Sequence, residues 1–453
     1  MNGRPRNPLF WLPEKVGIAG MVRLAVVYLV LVLYGFTYEH FYSTQLTPLF
    51  HTRYISYDMI RSSVYTLVNF LTPLAVLPIG TRLRAPGQIL AGAFAVFLFI
   101  PIPIVFTSMV TPPQFWRIYA ILWVSCFMIC TLSSLSVDIR RPVVTDAGFR
   151  RMLFFLYGFI ALAFLYVVAT NHVAFVGFDK AHAARDEVTV SGVQGYVLNG
   201  YMASFGGLLI IMAVKLRKYY LIVPAIAGFI VCYGTLAERN ALLMPAWILY
   251  ILIAHKLFFR ESVPRYLLTV MAPFLIGTLI AEIIGTDDRE ALLYDAFTLA
   301  NFRLYSVPGL AFNVYYDFFQ THPLTYWSHI NIVSSFVRYP YGEPLSLVMA
   351  DQYQMGNYNA SFIETDGVAA AGLLAVPFIS ILMGFVLVAV NSCFRGLHPA
   401  IFAVAMAGPS ITLIDTGLGP GLLTNGLAAL AVFVFFAPRT APWNSWRRRE
   451  SCQ

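Results

Sequence analysis

Four arginines, two histidines and a pair of carboxylates carry most of the chemistry this chain could do. Arg185, Arg239, Arg303 and Arg338 fall in connections between long apolar runs. A guanidinium fork grips phosphate oxygens in pairs and never loses its charge, so an arginine cluster at membrane level suits a lipid-linked diphosphate. Arg239 is the sharpest case. The run Gly234-Thr-Leu-Ala-Glu-Arg-Asn240 parts two apolar segments with almost no loop, and an arginine so confined must face protein or a water-filled cavity. The alternative is local pairing, since Glu238 precedes Arg239 and Asp186 follows Arg185. His322 and His329 close the run Thr321-His-Pro-Leu-Thr-Tyr-Trp-Ser-His329 at both ends. Imidazole can take a proton from a hydroxyl near neutral pH; the bland alternative is an interfacial ring satisfied by water. Glu364 and Asp366 lie in Asn357-Tyr-Asn-Ala-Ser-Phe-Ile-Glu-Thr-Asp-Gly367, at the mouth of a long apolar helix. They suit a general base and a hydroxyl acceptor, or else they stabilise the helix dipole. His172 and His182 are weaker candidates.

Much soluble chemistry is excluded. The chain has no phosphate loop, no G-x-S-x-G, no H-E-x-x-H and no G-x-G-x-x-G. The missing phosphate loop argues against an ATP-driven pump. Five cysteines occur without a C-x-x-C pair, and no cluster has metal-ligand spacing. No metal and no cofactor are expected.

The elements that must position these residues are membrane helices. Hydrophobic residues make up 59% of the 453 and charged residues 11%, with a mean hydropathy of +0.71. A soluble fold cannot hide so much apolar surface. The apolar residues come in blocks of roughly 18 to 25, the length that spans a bilayer, without the alternation of a membrane barrel. An all-α polytopic bundle of about twelve spans is expected, near 16–36, 62–81, 87–109, 115–135, 152–175, 193–214, 219–236, 240–258, 266–285, 366–391, 397–415 and 418–437. No cleavable signal peptide is expected, so the first span stays as an anchor.

Basic residues orient the bundle. Arg82 and Arg84; Arg140, Arg141, Arg150 and Arg151; Lys215, Arg217 and Lys218; Lys256, Arg260 and Arg265; Arg395; and Arg439 with Arg447 to Arg449 fall in alternate connections. The positive-inside rule puts those connections and both termini in the cytoplasm. It also explains the net charge of +8 without nucleic acid. The outward connections are poor in Lys and Arg, and by far the longest is 286–365. Its Tyr, Phe, Asn and Pro content favours order, with short helices lying at the interface. The organisation is thus a membrane bundle over 1–285, a large periplasmic loop over 286–365, and membrane spans with a short basic tail over 366–453.

At these residues the chain resembles the bacterial oligosaccharide repeat-unit polymerases, or O-antigen polymerases, and is more distantly similar to the O-antigen ligases. Four features carry the likeness. They are Ala183-Ala-Arg-Asp-Glu187 followed by Tyr196 and Tyr201; Glu238-Arg239-Asn240; Arg303-Leu-Tyr-Ser-Val-Pro-Gly309 with the aromatics Tyr315 to Phe319; and Asn359-Ala-Ser-Phe-Ile-Glu-Thr-Asp-Gly367. Two positions depart from the pattern: a small or lysine-bearing turn is common where Glu238-Arg239 stands, and an aromatic-glycine pair where Ala371-Gly372 stands. The resemblance implies a nucleotide-independent glycosyltransferase at the periplasmic face of the inner membrane. It would move a growing glycan from one undecaprenyl diphosphate carrier to the sugar of another carrier-linked repeat unit. Arg185, Arg239, Arg303 and Arg338 would hold the diphosphate. His322, Glu364 and Asp366 would be catalytic, and His329, Asn359 and Tyr315 would touch the sugar. Partners would be the lipid-linked oligosaccharide, membrane lipid and a chain-length regulator protein. Two rivals stay open: a ligase that hands glycan to lipid A core or to a protein, and a secondary transporter or lipid-linked sugar flippase.

Overall fold

A computed structural model of the chain describes residues 18–46, 62–106, 112–171, 192–284, 301–353 and 362–440, with Val173, Phe175, Val190 and Trp443. The fold is an all-α polytopic bundle. In chain order its helices are α1 (Ile18–Thr44), α2 (Ser62–Val76), α3 (Pro86–Phe106), α4 (Pro113–Leu132), α5 (Asp146–Thr170), α6 (Gly192–Lys215), α7 (Tyr219–Leu236), α8 (Arg239–Phe259) and α9 (Val263–Ile284). Then follow α10 (Val307–Thr321), α11 (Leu345–Tyr353), α12 (Ile363–Ala371), α13 (Ala375–Phe394), α14 (Pro399–Ala405), α15 (Ala407–Thr412) and α16 (Leu418–Phe435).

Ten of these are long and apolar enough to cross a membrane, among the described residues. Three of the expected spans differ, each for a backbone reason. The span expected at 62–81 is the shorter α2, which tightens into a 3-10 turn over Leu77–Ile79 and stops at Gly80 with φ +83°. The span expected at 397–415 is split into α14 and α15. Pro409 has no N–H to give the carbonyl of Ala405, and its ring crowds that carbonyl. The span expected at 366–391 starts later, at Ala375. Gly372 takes φ +76°, a conformation cheap only for glycine. There the chain reverses, and α12 folds back on the first turns of α13. A Cβ on Gly367 would lie 3.0 Å from Ile379 and 3.2 Å from Val376, so glycine sets how closely the two helices approach.

α3 is the hub: its most apolar stretch is entirely buried, as expected of a helix apolar on every side. The outer helices instead expose apolar side chains, such as Phe155, Phe159 and Leu162 on α5 and Ile276, Leu279 and Ile283 on α9. Spaced three and four apart, these form stripes that only lipid can cover at low cost.

Polar residues tie the two ends of the bundle. At one end Asn391 donates to Ser133 O and Leu135 O, both at 2.7 Å, and accepts from Gly87 N at 2.7 Å. Arg141 and Arg439 both donate to Arg395 O, at 2.8 and 2.7 Å. Leu83 N donates to Glu261 O at 2.7 Å, and His398 N to Trp443 O at 3.1 Å. These bonds satisfy carbonyls that lie outside the helices. They also join the basic connections that charge patterning assigns to one side. The other end carries α10, α11 and α12, with Tyr38 bonded to Ser306 at 2.9 Å and His40 paired with Glu282 at 3.3 Å.

Candidate functional site

The site grows from the start of α12. Phe362 is extended, and Thr365 Oγ1 accepts from Phe362 N at 2.8 Å while donating to Phe362 O at 2.8 Å. This caps the helix and puts Glu364 and Asp366 in its first turn, where the dipole favours negative charge. Both are buried, at 1% and 7% exposure. The fold-back then separates their surroundings. Glu364 faces α13, where Ser380 Oγ donates to it at 3.4 Å but also donates to Val376 O at 2.9 Å. One hydroxyl proton cannot serve both well. The second Glu364 oxygen has no hydrogen-bond partner, and burial pushes this carboxyl up to about 7.

Asp366 turns the other way, toward the loop before α16. Its Oδ2 accepts from Leu418 N at 2.9 Å. A Cβ on Gly417 would stand 2.1 Å from that oxygen, so the backbone can approach the carboxylate only because residue 417 is glycine.

His329 meets Asp366 from above. The segment after α10 docks on the last carbonyls of α12: Thr325 N donates to Ala369 O at 2.8 Å and Tyr326 N to Ala370 O at 3.0 Å. Tyr326 and Trp327 both take positive φ, 46° and 62°, which is unfavourable for aromatic residues and persists only where neighbouring contacts hold it. This turn brings His329 Nε2 to 3.6 Å from Asp366 Oδ1, an ion-pair distance longer than a hydrogen bond. On the other ring nitrogen, Nδ1 lies 2.9 Å from Thr325 Oγ1. Thr325 already gives its one hydroxyl proton to Ala369 O at 3.0 Å. The hydroxyl must therefore accept from Nδ1–H, which leaves Nε2 to take or hold a proton beside Asp366.

Arg303 lies in the wide turn Phe302–Ser306 that opens α10. Its Nη2 is 3.9 Å from Asp415 Oδ2, and the arginine side chain is half exposed. Asp415 stands two residues before Gly417, so Arg303 and Asp366 engage one short loop. The other Asp415 oxygen has no hydrogen-bond partner. Tyr315 of α10 is buried within charge–charge reach of Asp366. Burial and that carboxylate raise its phenol, so the hydroxyl keeps its proton.

The remaining sequence candidates fall elsewhere. His322 caps the end of α10: Nδ1 lies 2.9 Å from Phe318 O, and the ring stacks on Phe318 at 3.9 Å. Of the two histidines it is thus His329 that reaches Asp366. Arg239 is the first residue of α8 and half-buried. Trp247 Nε1 donates to Ala407 O at 3.0 Å, so α8 runs beside α14 and α15. Eight residues, ~12 Å of helix, carry Arg239 toward the end that holds Asp415. Arg338 is exposed between α10 and α11. Arg185 and Asn359 lie outside the described residues.

Three participants escape a reading of residue types: Thr325, Ser380 and Asp415. Asp415 alone had a signal, a carboxylate at the edge of an apolar run. Thr325 and Ser380 are hydroxyls among many, and only the fold gives them roles. Among the described residues no group of His, Cys, Asp and Glu could hold a metal ion. Comparison with protein-family models, curated proteins and solved structures finds no match in any of the three.

Proposed function

We propose that this chain is a glycosyltransferase that polymerises oligosaccharide repeat units carried on undecaprenyl diphosphate, at the outer face of a bacterial inner membrane. The observation that carries the reading is the His329–Asp366 pair, oriented by Thr325, with Arg303 reaching Asp415 on the short loop that Asp366 also engages. A base and a cation beside one short loop are the two groups this transfer needs. The resemblance in motifs over 180–375 supports the substrate class. The basic-residue rule supports an outward site, because the basic connections gather at the opposite end.

The chemistry balances without a nucleotide. The acceptor sugar hydroxyl oxygen attacks the anomeric carbon of the donor glycan, and its proton passes to His329 Nε2. The bond from that carbon to the carrier diphosphate breaks, and the electron pair leaves on the phosphate oxygen. Asp366 offsets the positive imidazolium. Arg303 meets the developing diphosphate charge with a guanidinium fork that grips phosphate oxygens in pairs. Its present ion pair is long and half exposed, so the guanidinium can turn to phosphate at little cost. Arg239 is a second candidate diphosphate contact.

The test is complementation. A deletion host carrying His329→Ala or Asp366→Asn should make single repeat units but no ladder, with protein levels unchanged. A normal ladder from either variant refutes the assignment. Loss of every repeat unit points instead to transfer onto a final acceptor by a ligase.

A further inference from the structure

Arg303 rides on a turn that its own helix does not fully hold. Pro308, at the start of α10, has no N–H to give the carbonyl of Leu304. The backbone widens there, and Val307 N bonds across five residues to Phe302 O. Wide turns of this kind are rare and are frequent at functional sites. With the helix ladder interrupted, the surrounding side chains must supply the restraint.

Three membrane helices supply it. Tyr305 is buried and meets Phe97 of α3 at 5.1 Å, Phe274 of α9 at 5.0 Å and Tyr38 of α1 at 6.2 Å between ring centroids. Ring contacts tolerate a range of angles, so they fix the depth of the turn better than its rotation. A hydrogen bond is directional, and Tyr38 provides one. Its hydroxyl meets Ser306 Oγ at 2.9 Å, with both residues buried. Tyr34, one turn earlier on α1, donates to Val96 O at 3.0 Å and ties α1 to the hub helix α3. Ser306 closes the turn that carries Arg303, whose guanidinium ends 3.9 Å from Asp415. Rotation of the turn would swing that long side chain away from the loop that Asp366 also engages.

Given the reading of Arg303 as a diphosphate contact, we infer that Tyr38 acts through Ser306 as a positioning residue that aims Arg303 at that group. The full chain in neutral detergent is titrated with farnesyl diphosphate, a short prenyl diphosphate, and binding is read by calorimetry. Tyr38→Phe and Ser306→Ala should each weaken binding roughly two- to tenfold. The double variant should lose no more than either, because both delete one bond. Arg303→Ala should weaken binding further. In that background, with probe raised until it saturates, adding Tyr38→Phe should cost nothing more. Nitrogen-15 shifts of His329 should keep their wild-type values in Tyr38→Phe, which separates loss of aim from general loosening. A Tyr38→Phe chain that fails to fold leaves Ser306→Ala to decide. Unchanged affinity in the folded variants, or a loss that persists in full without Arg303, overturns the inference and leaves the diphosphate reading standing. Displaced His329 shifts assign the bond to general stability and overturn the positioning role. Unchanged affinity in Arg303→Ala overturns both the inference and the diphosphate reading.

Discussion

Replacing Thr325 by Val removes one hydroxyl and almost no volume, yet it should change which nitrogen of His329 carries the proton. The Thr325 hydroxyl donates to Ala369 O at 3.0 Å and accepts from Nδ1 at 2.9 Å. With valine the Nδ1–H loses its acceptor, and the proton can move to Nε2, the nitrogen that should receive the substrate proton. A neutral hydrogen bond is worth about 0.5–1.5 kcal/mol net, so transfer should slow by roughly 2- to 13-fold from that term. Docking of the segment survives, because the backbone bonds from Thr325 and Tyr326 to α12 remain. The assay has two arms. Nitrogen-15 shifts of His329 report the tautomer without any substrate. Glycan chain length in a complemented deletion strain reports turnover. Thr325→Ser should restore both. An unchanged tautomer in Thr325→Val refutes the orienting role. A changed tautomer with unchanged chain length spares that role and refutes His329 as the base.

Other substitutions probe neighbouring contacts. Arg303→Ala should shorten glycan chains by far more than Arg303→Lys, since lysine keeps charge without the fork; equal loss in both would mean that geometry does not matter there. Gly417→Ala keeps an ordinary backbone, φ −62°, but drives a methyl into Asp366. It should cost about 1–3 kcal/mol in thermal unfolding and disrupt the His329 contact; an unchanged midpoint would count against the tight approach. Glu364→Gln tests burial. With the folded value near 7 against an ordinary 4.5, the folded state holds the proton more tightly than the unfolded one. The stability this group contributes is therefore fully present below about pH 4.5 and is lost as pH rises through 7. Across that window the wild type should lose roughly 3 kcal/mol that Glu364→Gln does not lose, measured as unfolding midpoints from pH 4 to 8. Parallel profiles would contradict it.

Much of the fold was legible because lipid imposes one simple demand, an unbroken apolar run. The basic connections that charge patterning groups together are joined by Asn391, Arg141 and Arg439 at one end. Where expectation and structure part, the cause is a residue that outranks hydropathy. Pro409 splits an apolar run without lowering its apolarity. Gly372 reverses the chain inside what reads as one helix, and that reversal buries Glu364 against α13. The site was half legible. Asp366, His329, Arg303 and Tyr315 converge, and each has a type that announces chemistry. The choice between His322 and His329 was not legible from spacing. It depends on two aromatic residues taking left-handed backbone and on carbonyls of α12 some forty positions away. Thr325 carries no signal at all until its two bonds are seen together.

The most direct measurement of the central claim uses the purified chain in vesicles with lipid-linked repeat units as both donor and acceptor, and no nucleotide. Products are resolved by length. The account predicts that wild type builds chains of many units and releases the carrier diphosphate, and that His329→Ala builds none while still folding. Chains that lengthen equally with His329→Ala, or wild type that leaves single units untouched, would contradict it.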